Sequence, residues 1–342
     1  MSKSISKFVA AAVIYAGFAV YLYQPYFKIF HKLQFLILAS VCLGSLGCFV
    51  LSRRWVIGFA ASLFAGAIYG FGPFLLGLAR FHPTAGLLAA GIPWLFCLAA
   101  FGPRARWQWL GIPLSALPFL AIVLFFQVTT HYRLFAVPIQ AKLHLADLAG
   151  LLAPLVPAKT RMAIIGFYHA PIAPLMMGFS MLLAARRFGI LVIFGIGAVL
   201  AFSGCLFNIS PIIWLAIPVL CCSILIGEGM QGLILASWAD RKWLLTVTLS
   251  MAALSVVMLL PAVVFDLQFV LFNLRFSIGN WKVEKLLTET AKMYILGAVA
   301  VAIIFFMARA KLRIRWLRWI ILCSAMAIDI FLGARLIVDR TF

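Results

Sequence analysis

The chain has 342 residues, 66% of them hydrophobic and only 11% charged, with a mean hydropathy of +1.15. A water-soluble fold is nearer half apolar and a quarter charged, and one of this length could not hide so much apolar surface, so a soluble globular protein is excluded. The 28 Lys and Arg against 8 Asp and Glu leave a formal charge of +20, but the cations stand in ones and twos between apolar runs, as side chains gripping lipid phosphates do, and this argues against a nucleic-acid partner.

A helix needs about 20 apolar residues to cross the hydrocarbon core. On that template the sequence predicts an all-α, polytopic transmembrane bundle of about eleven spans, within a range of about ten to twelve. They fall at 8–27, 34–52, 55–79, 84–101, 110–130, 162–184, 188–207, 211–236, 244–265, 293–308 and 319–338. Residues 1–342 read as a single membrane domain, because no polar stretch is long enough to bury a soluble core.

The first span follows Lys3 and Lys7, as the hydrophobic region of a signal peptide would. Tyr21 to Phe27 are bulky, however, and no small-residue cleavage site follows, so the span reads as retained. The third span carries Gly66-x-x-x-Gly70, a spacing for close helix contact, and is interrupted by Tyr69-Gly-Phe-Gly-Pro73. In the connection 131–161, Leu145, Leu148, Leu152 and Leu155 recur at helical spacing between prolines, which predicts an amphipathic helix in the membrane interface.

The span 162–184 contains Gly166-Phe-Tyr-His-Ala-Pro-Ile-Ala-Pro174. Pro171 and Pro174 cannot donate, so they are expected to kink the helix and free the carbonyls of Phe167 and Ala170 beside His169. Two further spans are joined only by Asn208-Ile209-Ser210, and the second holds Gly227-Glu-Gly-Met-Gln-Gly232. Residues 272–278 alternate apolar and polar, as an extended stretch would. Over 281–292, Val283, Leu286, Leu287 and Thr290 oppose Lys282, Lys285, Glu289 and Lys292, which predicts a second interfacial helix capped by Asn280.

The best marker of orientation is 309–318, where Arg309, Lys311, Arg313, Arg315 and Arg318 stand between two spans. Cytoplasmic loops carry such an excess. Counting back places the N-terminus in the cytoplasm of a bacterial-type membrane and the C-terminus outside. Trp55, Trp107, Trp109, Trp238, Trp243, Trp316 and Trp319 then all lie on the cytoplasmic side, as an interfacial belt. The seven cysteines all fall in apolar runs without a C-x-x-C pair and read as small buried hydrophobes.

Ionisable groups within hydrocarbon are costly and therefore mark candidate sites. Asp329 lies near the middle of the last span, His169 about four residues before the middle of its own, and Glu228 about four past. Imidazole and carboxyl groups exchange protons, so these three, with Tyr168 and Gln231 beside them, form a candidate substrate or proton pathway. The competing reading is simple pairing with neighbouring helices. A second cluster, His82, His131, Arg133, His144, Lys159 and Arg161, falls outside the spans on the non-cytoplasmic side and suits anionic headgroups; His131, Arg133, His144 and Arg161 are its main candidates. No H-x-x-x-H or H-E-x-x-H spacing appears, so no metal site is expected and no cofactor is indicated.

Three functions fit. The first is a transporter or permease with a midplane site between kinked helices, against which stands the lack of an internal repeat. The second is a non-catalytic subunit or assembly factor of a larger membrane complex, with other membrane subunits as partners. The third is a membrane enzyme on lipid-linked phosphates, using the outer His/Arg cluster. In all three the lipid bilayer with its anionic headgroups is the first partner.

Overall fold

The computed structural model describes residues 2–28, 35–81, 83–101, 150–151, 166–185, 188–203, 211–237, 240–264, 283–310 and 314–341. Among them the regular structure is helical throughout, which satisfies the backbone groups within each segment where lipid offers no water to do so. In chain order the α-helices are α1 (Ser2–Tyr23), α2 (Phe35–Ser52), α3 (Phe59–Gly70), α4 (Pro73–Phe81), α5 (Pro83–Phe101), α6 (Ile172–Ala184) and α7 (Phe188–Phe202). They continue with α8 (Pro211–Trp214), α9 (Ala216–Leu235), α10 (Arg241–Val264), α11 (Val283–Arg309) and α12 (Arg315–Thr341).

Seven stretches are long and apolar enough to cross a membrane: Ile5–Tyr26, Phe35–Ser52, Phe59–Leu78, Pro211–Leu235, Arg241–Leu259, Thr288–Arg309 and Arg315–Asp339. Three more expected spans appear as shorter apolar helices, at Ala85–Cys97, Ile172–Ala184 and Gly189–Phe202. The expected span 110–130, the stretch 272–278 and, apart from residues 150–151, the connection 131–161 with its interfacial helix lie outside the described residues. Residues 283–292 do not form a separate helix from 293–308. They are the first turns of α11, which runs unbroken for 27 residues, about 40 Å.

Where a helix meets lipid, its exposed face is as apolar as its buried one. α1 buries Ala11, Tyr15, Ala19 and Leu22 at helical spacing and exposes Ile5, Val9, Val13 and Val20. α10 and α11 likewise expose Leu249, Val256, Val299 and Phe306. A soluble helix would carry charge there. α9 is buried on all sides through Leu220 to Gly227 and forms the centre of the bundle. This is a membrane protein.

Small residues set the close contacts. A methyl group on Gly66 would lie 2.5 Å from the Ser45 carbonyl, and one on Gly70 would lie 1.9 Å from the Ser45 hydroxyl, so the Gly66-x-x-x-Gly70 face is where α3 packs on α2. A methyl on Gly229 of α9 would lie 1.8 Å from the Pro174 carbonyl of α6, and one on Gly178 would lie 2.2 Å from the Leu225 carbonyl.

The basic helix ends gather on one side of the bundle. The Gln231 side-chain oxygen, near the end of α9, accepts from the amides of Ile57 (3.1 Å) and Gly58 (3.4 Å), just before α3. The Arg318 guanidinium at the start of α12 donates to the Ala236 carbonyl, just past α9. The end of α2 with Arg53 and Arg54, the start of α10 with Arg241 and Lys242, and the exposed Trp243, Trp316 and Trp319 belong to the same side. At the other side Tyr26, after α1, donates to Asp339 of α12 (2.7 Å), which also pairs with Arg335 (3.0 Å).

Candidate functional site

Both helix interruptions anticipated from the sequence exist, and they meet. The first separates α3 from α4 at Phe71-Gly72. The second precedes α6. There the proline-rich segment does not kink a continuous helix, as expected. Residues 166–171 are non-helical, and α6 begins only after Pro171. Pro174 falls in the first turn of α6, where a missing N–H costs nothing. Gly166, at φ 154°, turns the chain through a conformation that only glycine adopts freely. The Ala170 carbonyl, expected to be free, accepts from the Ala173 amide at 3.3 Å, and the His169 carbonyl accepts from Ile172 at 3.2 Å. What the break leaves exposed is a donor, the Ala170 N–H.

That donor is satisfied from another helix. Asp329 of α12 accepts from the Ala170 amide through Oδ2 at 2.6 Å, while its Oδ1 lies 3.2 Å from His169 Nδ1. The carboxylate thus sits at the N-terminal end of α6, where the helix dipole favours negative charge. His169 is 0% exposed and Asp329 1%. An ionised carboxylate offers only lone pairs, so with Asp329 ionised it is Nδ1 that supplies the hydrogen between them, and Nε2 is the ring nitrogen turned away from the carboxylate. Among the described residues, Nε2 is buried without a hydrogen-bond partner. The edge of the ring packs on Tyr294 of α11, with centroids 4.9 Å apart at 72°.

The neighbouring Tyr168 ties the two interruptions together. Its hydroxyl donates to the Phe71 carbonyl at 2.6 Å, in the break between α3 and α4. Gly333, one turn beyond Asp329 on α12, makes room for the Tyr168 ring, since a methyl group there would lie 2.3 Å from Cε1. Gly297, one turn below Tyr294 on α11, does the same for the backbone of Ala170, at 3.2 Å from Cα. One face each of α11 and α12 is therefore shaped around residues 168–170.

Of the residues singled out in the sequence, the structure joins His169, Asp329 and Tyr168. Gln231 is elsewhere: it spans to Ile57 and Gly58 before α3, whereas Tyr168 reaches Phe71 after it, and α3 is about 18 Å long. Glu228, partly buried, lies one turn from Gln231 on α9 and is not among the hydrogen-bond partners of the His169–Asp329 pair. His169 and Asp329, expected at successive depths, are in contact. His131, Arg133, His144 and Arg161 lie outside the described residues. Sequence reasoning missed Tyr294, Gly297 and the Phe71 carbonyl, which carry no local signal. Gly333 was findable, because it shares a helix face with Asp329 at i+4.

The arrangement is a buried acid–base pair whose carboxylate also holds a helix terminus, so a proton placed on it weakens a bond that fixes backbone geometry. No protein family model matches this chain, and neither a curated protein nor a solved structure shows significant similarity to it.

Proposed function

We propose that the protein is a transporter or permease that couples its cycle to protonation of the His169–Asp329 pair. The observation that carries this reading is the position of the pair, buried where two interrupted helices meet, with Asp329 bonded both to a titratable ring and to the Ala170 amide. Protonating Asp329 removes its charge and one accepting oxygen, which loosens the start of α6 against α12. Interrupted helices deep in a membrane commonly serve transport, because their free backbone groups can exchange partners as the bundle rearranges. Glu228 and Gln231, toward the basic side, are the inner part of the pathway in this proposal, and Tyr168 is the hinge between the breaks.

The rest of the reading follows. Residues 1–342 form one membrane domain of about eleven spans, counting the segments expected from sequence. The basic side faces the cytoplasm, with the N-terminus there and the C-terminus outside, in a bacterial-type cytoplasmic membrane. Arg53, Arg54, Arg241, Lys242, Arg309, Arg315 and Arg318 support that sidedness. Anionic headgroups are the lipid partner.

Vesicles containing the purified protein and the pH dye pyranine test the proposal. An imposed potential should drive proton entry above that of empty vesicles, and Asp329→Asn should reduce it at least tenfold while the protein stays folded. Native protein that leaves the dye unchanged, or an Asp329→Asn variant as active as native, overturns the reading.

A further inference from the structure

The hairpin of α10 and α11 belongs to two hydrophobic clusters along its length. At its basic end Leu244, Ile304 and Ala308 are part of the main core of the bundle. Farther from that end, Val247 and Met251 of α10 pack with Tyr294 and Val301 of α11 in a second, separate cluster. Among the described residues, the buried member of this cluster from outside the hairpin is Ala173 of α6, with Ile172 and Met176 packed beside it. The hairpin is thus rooted in the core at one end and rests on the start of α6 farther along.

The contacts with α6 are of a kind that part and re-form readily. Gly297 meets the Ala170 backbone without a side chain to interlock, and Met176 and Met251 are flexible chains that repack at small cost. The opposite face of the hairpin, with Leu249, Val257, Ile295 and Ile303, is exposed and apolar, so lipid backs it. What the hairpin covers is polar. Tyr294 packs on the His169 ring, whose Nε2 has no partner among the described residues. Thr290 shares the face of α11 with Tyr294, one turn farther from the basic end. It is buried too, and its hydroxyl has no partner among the described residues. Each such group carries a desolvation cost that entering water relieves.

We propose that the α10–α11 hairpin is the gate of the proton pathway on the side away from the basic helix ends, swinging about its rooted end and closing with Tyr294 over His169. The gate rests on the transport reading above. Protonating Asp329 loosens the start of α6, which is the surface the hairpin rests on, so the charge of the pair and the closure of the gate are coupled.

Ala173, 0% exposed under the hairpin, is the reporting position, and native Cys48, 0% exposed in the main core, is the internal reference. The full-length Ala173→Cys protein in phosphatidylcholine vesicles is treated with a sulfonated maleimide, and labelling at each position is read by mass spectrometry of its peptides. The new thiol should react about tenfold faster than Cys48, because local opening exposes it while the core stays closed. Equal rates mean that the hairpin does not open, and overturn the gate. In the pyranine assay the labelled variant should take up protons about tenfold more slowly than the same variant unlabelled, since the adduct stands in the path. Uptake unchanged by the label places the opening off the path, which overturns the gate and leaves the transport reading standing. Native protein that takes up no protons overturns both. Met251→Cys, which removes volume at the same contact instead of adding it, repeats the measurement should Ala173→Cys fail to fold.

Discussion

Asp329 and His169 stand 160 positions apart in the chain and 3.2 Å apart in the fold, buried together between α12 and the start of α6. The same carboxylate holds the Ala170 amide, so side-chain protonation and backbone geometry share one group. Four predictions on stability follow from this site and the contacts that support it.

Asp329→Ala leaves the Ala170 amide and His169 Nδ1 buried without their acceptor. Each unsatisfied group costs about 1–3 kcal/mol. Asp329→Asn keeps one accepting oxygen and so costs less. Thermal unfolding in mild detergent, followed by size-exclusion chromatography, should rank native above Asn above Ala. Equal losses for the two variants would mean that the volume of the side chain matters and its hydrogen bonds do not.

Gly333→Ala drives a methyl group into the ring of Tyr168 and should destabilise by about 1–3 kcal/mol, as overpacking does. The penalty belongs to the pair. In a Tyr168→Ala background the ring is gone, and Gly333→Ala should add little beyond the first substitution. Tyr168→Phe keeps the clash and loses only the bond to the Phe71 carbonyl, about 1 kcal/mol. Additive penalties in the Tyr168→Ala, Gly333→Ala double variant would show that the two residues do not meet.

The glycines of α6 and α9 should divide from those of α7. Gly229→Ala sets a methyl group 1.8 Å from the Pro174 carbonyl, and Gly178→Ala sets one 2.2 Å from that of Leu225. Backbone cannot yield as a side-chain tip can, so both variants should lose most of their folded yield. A methyl group on Gly189 or Gly195 would meet nothing within 4 Å among the described residues. Alanine there should be neutral or stabilise by up to about 1 kcal/mol, through helix propensity alone. Expression with a fluorescent fusion and chromatography would separate the two groups.

Gln231 joins α9 to the start of α3 by accepting two amides through one oxygen. Gln231→Glu retains an acceptor and should unfold near the native temperature. Gln231→Ala should lose about 1 kcal/mol. If Glu proves as costly as Ala, the side-chain amide has a second role that these two bonds do not describe.

Composition alone decided the solvent. With apolar residues on every face of α1, α10 and α11, no arrangement in water could bury them, so lipid followed before any fold was known. Helices followed in turn, because apolar runs of about 20 residues match the length of a membrane-crossing helix and a helix satisfies its backbone groups within itself. The breaks at Gly70 to Pro73 and Gly166 to Pro174 were legible for the same local reason, since proline withholds a donor wherever it stands. The helix boundary expected at 292–293 was misplaced, because the change from polar to apolar at 293 marks where lipid begins, not where backbone hydrogen bonding stops. Depth along a span could be counted from sequence, but the direction a side chain faces around its axis depends on which helices pack beside it. The meeting of His169 with Asp329 rather than Glu228, and the room made by Gly333 and Gly297, were therefore decided only by the tertiary packing.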